Sequence, residues 1–242
     1  MPSVTPDPAT SATIGRLGDR STALVAADGE VGDRAAIDAS WPGWADHIGL
    51  VVAADGGAAG ARHLGFAVDL LVGDGDSIEP AELARLVDAG VAIRRAARDK
   101  DESDTELAVA AAVELGAAAV VIVGALGGRR FDHALANVGL LAHPALGGRP
   151  CCLLSPHSRI RLLTGPARLD LPGRLGDVVS LLPFGDAVAG VTTSGLAYPL
   201  ADEPLPAGPA RGLSNVRQAA IAAVEIREGR LLVVETPATL GA

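Results

Sequence analysis

Asp99-Lys100-Asp101-Glu102-Ser103-Asp104-Thr105-Glu106 puts five carboxylates and one amine into eight residues, directly ahead of the almost wholly apolar run Leu107 to Val113. A change from charged to apolar at that point predicts a helix start. Ser103 followed three residues later by Glu106 fits a capping box, and Asp104 and Glu106 fall where negative charge meets the positive end of the helix dipole. That explains Ser103, Asp104 and Glu106 but not Asp99 and Asp101, which precede the cap. Two unit charges about 4 Å apart repel by roughly 4 kcal/mol at an effective dielectric near 20, so convergent carboxylates need a cation or a shared proton. The stretch reads either as a solvated, capped helix start or as part of a magnesium site.

This helix start follows the short apolar run Val91 to Ile93, and similar runs recur at Ala23–Ala27, Leu50–Ala54, Leu70–Val72 and Ala119–Val123. Each reads as a buried parallel strand. Helical stretches lie between most of them, notably Ala58 to Leu64, Pro80 to Asp88 with its proline in the first turn, and Ser103 to Leu115. The alternation predicts a doubly wound, Rossmann-like, mainly parallel sheet. Such sheets bind ligands beyond the carboxyl ends of their strands. Four consecutive ends carry acidic or glycine-rich loops: Asp55-Gly56-Gly57, Gly73-Asp74-Gly75-Asp76-Ser77, the loop through Arg94, Arg95 and Arg98 to Asp99, and Gly124 to His133.

Beyond Pro150 the texture changes to short strands at close spacing: 160–163, 167–171, 178–182, 188–192, 219–226 and 230–235, with Cys151 to Leu154 as a last strand of the first sheet. No convincing long helix separates them, which predicts a second, smaller, all-β sandwich domain. Pro199 to Pro209 reads as a surface loop. The expected division is a flexible tail over residues 1–20, an α/β domain over 21–155 and the β-sandwich over 156–242.

Composition narrows the function. A net charge of -9 argues against a broad nucleic-acid or anionic-membrane footprint. The adjacent Cys151 and Cys152 form neither an ordinary bridge nor a zinc pattern and read as core thiols of a reducing compartment. Residues 1–20 hold no apolar signal core and no later run approaches a membrane span, so a cytoplasmic protein without nucleic-acid or membrane partners is expected.

Asp74 and Asp76, two apart at a strand end, can reach one metal, or a metal and a substrate hydroxyl; the plain reading is an Asp-Gly turn before a helix cap. Hard carboxylate oxygens without a His or Cys cluster suit Mg²⁺ shared with phosphate. Gly124 to Arg130 is neither a Walker loop nor a dinucleotide fingerprint, yet Gly127 and Gly128 let backbone N–H groups approach phosphate, and Arg129 or Arg130 supplies a planar fork. Otherwise it is a tight strand-to-helix turn. Asp132 reads as a helix cap and His133 as a packed or solvated histidine before either is given a ligand. No Ser-His-Asp arrangement is defensible around Ser77, Ser103 or Ser214.

Asp55-Gly56-Gly57, Val72 to Ile78, Asp99 to Glu106, Gly127 to Asn137 and Gly212-Leu213-Ser214-Asn215, in that order, resemble the motif set of thiamine pyrophosphokinases. Ser180 to Pro183 and Val191 to Leu200 also resemble that family's second domain. The resemblance implies an ATP-binding catalytic α/β domain, a thiamine-binding β-sandwich, a homodimer, and transfer of the pyrophosphoryl group of Mg-ATP to thiamine, giving thiamine diphosphate and AMP. The alternatives are a pyrophosphokinase for another small alcohol and a non-catalytic nucleotide- or thiamine-binding regulator of the same fold. By resemblance Asp74, Asp76, Asp99, Asp101 and Asp104 hold Mg²⁺ and orient the hydroxyl, with the catalytic step assigned to Asp74, Asp76, Asp101 and Asp104. Asp55, Gly56, Lys100, Gly127, Gly128, Arg129, Arg130, Asp132 and His133 hold ATP or its phosphates, and Ser77, Ser214 and Asn215 meet thiamine. The chain departs from the family pattern at Gly75, where Phe is usual, at Ser103, where Thr is usual, and at Val216. With both tryptophans near the N-terminus, stacking on thiamine falls to Phe184 or Tyr198, or is absent.

Overall fold

The computed structural model describes residues 21–128 and 130–238. The expected tail over residues 1–20 and the candidate Arg129 lie outside the described residues. The chain divides between Pro156 and His157 into two compact units.

The first unit alternates β1 (Thr22–Ala26), α1 (Arg34–Ser40), β2 (Ile48–Ala54), α2 (Gly57–His63), β3 (Leu70–Gly73), α3 (Pro80–Asp88), β4 (Ala92–Arg95), α4 (Asp104–Glu114), β5 (Ala119–Val123), α5 (Phe131–Gly139) and β6 (Cys151–Leu154). Its strands pair in parallel in the order β6-β5-β1-β2-β3-β4. The chain lays β1 to β4 in one direction, then returns to place β5 on the other side of β1. The switch point therefore lies between the ends of β1 and β5, where such sheets form their ligand crevice. Leu50 to Ala54 are all buried, as befits a strand covered on both faces, and Leu24, Ala53, Ala58, Ala61 and Leu71 share one core. Full burial of a leucine such as Leu24 stabilises the fold by about 1.5–3 kcal/mol.

Ser103 caps α4 as expected, its hydroxyl accepting the Glu106 N–H at 3.1 Å. The reciprocal half of the capping box is not made. Glu106 Oε1 goes instead to His143 Nε2, 3.0 Å away, and His143 Nδ1 accepts the Ala145 N–H at 3.2 Å. The cap and the burial of Ala108, Val109, Ala111 and Ala112 fix α4 against β1, β2 and β3, with Asp104 at its first position. Helix α5 begins at Phe131, so Asp132 lies inside its first turn rather than at the cap, and it meets Arg130.

The second unit contains β7 (Arg159–Thr164), β8 (Ala167–Pro172), β9 (Val178–Pro183), β10 (Val188–Ser194), β11 (Glu203–Leu205), β12 (Asn215–Val216), β13 (Ile221–Ile226) and β14 (Arg230–Thr236). Two antiparallel sheets, β12-β9-β14-β7 and β11-β10-β13-β8, enclose Leu163, Leu171, Leu181, Val191, Val224 and Leu231. The fold is thus the expected mainly parallel α/β domain with an all-β sandwich. One detail corrects the sequence reading: the Pro-rich loop carries strand β11, tolerated because it lies at a sheet edge, where Pro204 need not donate. Glu235 on β14 is buried, and Arg159, Arg161 and Arg217 all reach its carboxylate, at 2.9, 2.5 and 3.1 Å.

Candidate active site

The strand ends of the first unit open into a cleft of about 690 Å³, within the usual range for small-molecule sites. Asp28 and Gly29 enter it after β1, Asp55 after β2, Ser77 after β3, Lys100 before α4, Asp104 at its first position, and Gly127, Gly128 and Arg130 after β5. The β1 and β5 loops run against one another: the Gly29 N–H donates to Gly124 O at 2.9 Å, and a Cβ on Gly29 would stand 2.3 Å from that oxygen. Only glycine fits there.

Asp55 organises the acidic side. It is 3% exposed, sits in the left-handed region at φ 47°, and accepts N–H groups from Gly75 at 3.1 Å and Ser77 at 3.2 Å. A non-glycine residue held there costs of order 1 kcal/mol or more, and such strain gathers at functional sites. Asp74 Oδ1 accepts the Asp76 N–H at 3.0 Å, while Asp74 Oδ2 lies 3.5 Å from Lys100 Nζ. That ammonium also lies 3.1 Å from Asp104 Oδ1, a buried oxygen it reaches as a charge but not in hydrogen-bonding geometry.

Carboxylate oxygens of Asp55, Asp74 and Asp104 all come within 4.8 Å of one another. Three carboxylates with one ammonium leave two negative charges, and Asp104 Oδ1 has the Lys100 charge beside it but no hydrogen-bond donor. The donor set fits a hard divalent cation. Burial, opposed by the Ser77 N–H and reinforced by Asp104, Asp74 and Asp76, raises the Asp55 carboxyl above the ordinary value. At Asp74 burial acts upward too, but the Asp76 N–H and the Lys100 ammonium outweigh it and hold that carboxyl low. Burial pulls Lys100 down, and Asp104 and Asp74 more than compensate.

The other candidates are placed differently. Asp99 and Asp101 are exposed on the loop before α4 and do not join the acidic group. Asp76 is exposed and accepts the Ser77 hydroxyl at 2.9 Å. Gly56 lies beside Asp55 at the start of α2. Across the cleft, Gly127 and Gly128 adopt φ 89° and 83°, and Arg130 forks onto Asp132 at 2.9 and 2.5 Å. His133 lines the cleft and is exposed. Ser214 and Asn215 belong to the second unit, Ser214 exposed at φ 56° and Asn215 buried. Sequence reasoning missed Asp28 and gave no role to Asn137, which stood only as the end of the motif Gly127 to Asn137. Asp28 directly follows the run Ala23–Ala27, so the strand-end rule, applied there, would have found it. Asn137 holds the β5–α5 loop by donating to Ala125 O at 3.1 Å, a contact that only the folded loop creates.

Carboxylates on one side of a switch-point cleft, with glycine N–H groups and an arginine on the other, define an α/β protein built to handle phosphates. Residues 43–153 match the family model described as thiamin pyrophosphokinase, catalytic domain, and residues 167–231 match thiamin pyrophosphokinase, vitamin B1 binding domain. The chain belongs to the thiamin pyrophosphokinase family. It is 28% identical over 159 residues to a thiamine pyrophosphokinase of Bacillus subtilis (strain 168), covering 65% of this chain and 73% of that one. The crystal structure of thiamine pyrophosphokinase from Bacillus subtilis is similar at TM-score 0.75 and 23% identity, covering 89% of this chain and 98% of that chain. A thiamin pyrophosphokinase family protein from Enterococcus faecalis gives TM-score 0.74 and 25% identity, covering 90% and 99%.

Proposed function

We propose that this chain is a thiamine pyrophosphokinase, transferring the pyrophosphoryl group of Mg-ATP to the hydroxyl of thiamine. The observation that carries the reading is the acidic group Asp55, Asp74 and Asp104 gathered with Lys100, with Asp55, Asp104 and Lys100 lining a cleft faced by a glycine–arginine loop, in a chain matching both parts of the family. Phosphoryl transfer asks mainly for alignment and charge neutralisation, which these groups supply.

Asp55, Asp74 and Asp104 would hold magnesium, with the exposed Asp76, Asp99 and Asp101 assigned to the acids around it. Bound magnesium supplies charge neutralisation at the phosphate oxygens. Gly127 and Gly128 present N–H groups to those oxygens, Lys100 adds a compact positive charge, and Arg130 exchanges the Asp132 carboxylate for phosphate. The thiamine oxygen bonds to the β-phosphorus, its proton passes to a cleft carboxylate, and the bond from the β-phosphorus to the AMP oxygen breaks. In the second unit, Ser214 presents an exposed hydroxyl and Tyr198 an exposed ring for the thiamine ring system. Phe184 is less suited, because the Arg230 guanidinium already covers its ring at 5.2 Å.

Incubation with Mg-ATP and thiamine should yield AMP and thiamine diphosphate in equal amounts. ADP as the nucleotide product, or AMP formed only with another small alcohol, overturns the reading. We assign the reaction to the cytoplasm; among the described residues no helix is long and apolar enough to cross a membrane. A homodimer is also proposed, supported by Phe131 and Leu135, 79% and 60% exposed one turn apart on α5. A sedimenting species at monomer mass would sink it.

A further inference from the structure

Asn215 is buried and its amide makes three hydrogen bonds within the protein. Oδ1 accepts the N–H groups of Tyr198 and Val216, both at 2.9 Å, and Nδ2 donates to Tyr198 O at 2.6 Å. The side chain therefore closes on the Tyr198 backbone from both sides. Around it the two loops are stitched by backbone: the Ala197 N–H donates to Val216 O and the Gln218 N–H to Gly195 O, each at 2.8 Å. The preceding turn is fixed as tightly. The Leu181 N–H donates to Gly212 O at 2.8 Å, and a Cβ on Gly212 would fall 2.1 Å from Leu181 O. Ser214, in the left-handed region, donates its N–H to Ser180 Oγ at 3.0 Å. What this frame leaves exposed is the Tyr198 ring, at 65%, and the Ser214 side chain.

We infer that Asn215 is a positioning residue: it clamps the Tyr198 backbone so that the ring stands ready for the acceptor, and its own amide does not touch the acceptor. Both acceptor positions of Oδ1 and one of the two Nδ2 N–H groups are spent inside the protein, and with Asn215 only 7% exposed the amide is turned to the Tyr198 loop rather than outward. The inference rests on the proposed reading of Tyr198 and Ser214 as the acceptor-facing groups, and replaces the expectation that Asn215 meets thiamine itself.

Tyr198 is the only tyrosine of the chain, so the protein labelled with 3-fluorotyrosine carries a single fluorine resonance reporting this ring. Asn215→Ala is expected to move that resonance toward the position of a freely rotating tyrosine. The same variant should raise the thiamine KM roughly tenfold, leave the ATP KM in place, and change kcat less than the thiamine KM. In a Tyr198→Ala background the further loss of Asn215 should raise the thiamine KM by no more than about twofold, because the residue acts through the ring. Equal increments in both backgrounds mean direct contact and overturn the inference, as does a resonance indifferent to Asn215→Ala. A Tyr198→Ala variant with normal thiamine KM overturns instead the reading on which the inference rests. Asn215→Asp keeps an acceptor for the two N–H groups but sets a carboxylate oxygen against Tyr198 O in place of the donor, so it releases the clamp at that carbonyl and repeats the test if the alanine variant fails to fold; the same directions are expected.

Discussion

The two units carry charge clusters of opposite sign. In the cleft, Asp55, Asp74 and Asp104 gather with one ammonium; in the sandwich, Arg159, Arg161 and Arg217 gather round one carboxylate, Glu235. Each leaves a buried atom of its surplus kind without a hydrogen-bond partner, Asp104 Oδ1 in one and Arg217 Nε in the other. Access separates them. The acidic cluster belongs to an open cleft, so a ligand can complete it, whereas the Arg217 and Glu235 side chains are only 1% and 2% exposed. One cluster can therefore take a ligand, and the other is closed within its fold. Their carboxyls titrate accordingly: at Glu235 burial acts upward but the Arg159 and Arg161 guanidiniums outweigh it and depress the carboxyl, while burial raises Asp55.

The largest expected effect comes from emptying the sandwich cluster. Glu235→Gln leaves guanidiniums facing a neutral amide, and breaking a buried pair in this way costs about 3–5 kcal/mol of stability, measurable by urea unfolding. Because the Glu235 carboxyl is depressed in the fold, its stabilisation is present above the unfolded value and is lost as pH falls through the lower folded value. Stability of the native chain should therefore drop steeply in acid, with a slope that Glu235→Gln lacks. If both chains lose stability in parallel, the cluster is not what holds the sandwich.

The cleft should respond in the other currency. Asp104→Asn is expected to slow turnover at least about a hundredfold, roughly 2.7 kcal/mol of transition-state stabilisation, with a smaller loss of stability than Glu235→Gln. Asp101→Ala, exposed outside the acidic group, should cost less than Asp104→Asn; a larger loss would move the functional acid onto the loop. The smallest effect belongs to Ser103→Ala, which removes the cap that sets Asp104 at the start of α4. It should lower stability by about 1 kcal/mol and slow turnover as well. Unchanged turnover in the less stable variant breaks the link between cap and chemistry.

How far the sequence reached follows from the range of each contact. Strand runs such as Leu50–Ala54, the cap at Ser103 and the acidic loops are local patterns, and they were legible. Strand β11 was hidden because proline is read as a turn signal unless the strand is known to lie at an edge. Asp55 was placed with the phosphates and is found in the acidic group, since its two N–H partners, Gly75 and Ser77, lie about twenty residues on. The Glu235 cluster joins β14 to arginines more than seventy residues away on β7, a pairing no spacing rule announces. Asn215 could be placed in a motif but not given its task, which exists only once Tyr198 has folded against it.

Manganese binding, followed by paramagnetic resonance in competition with magnesium, tests most directly whether the cleft's surplus of negative charge is there to hold a divalent cation. The native chain should bind manganese and release it to magnesium, and Asp104→Asn should bind at least about tenfold more weakly, a difference of roughly 1.4 kcal/mol. Equal binding by the two chains would contradict the account.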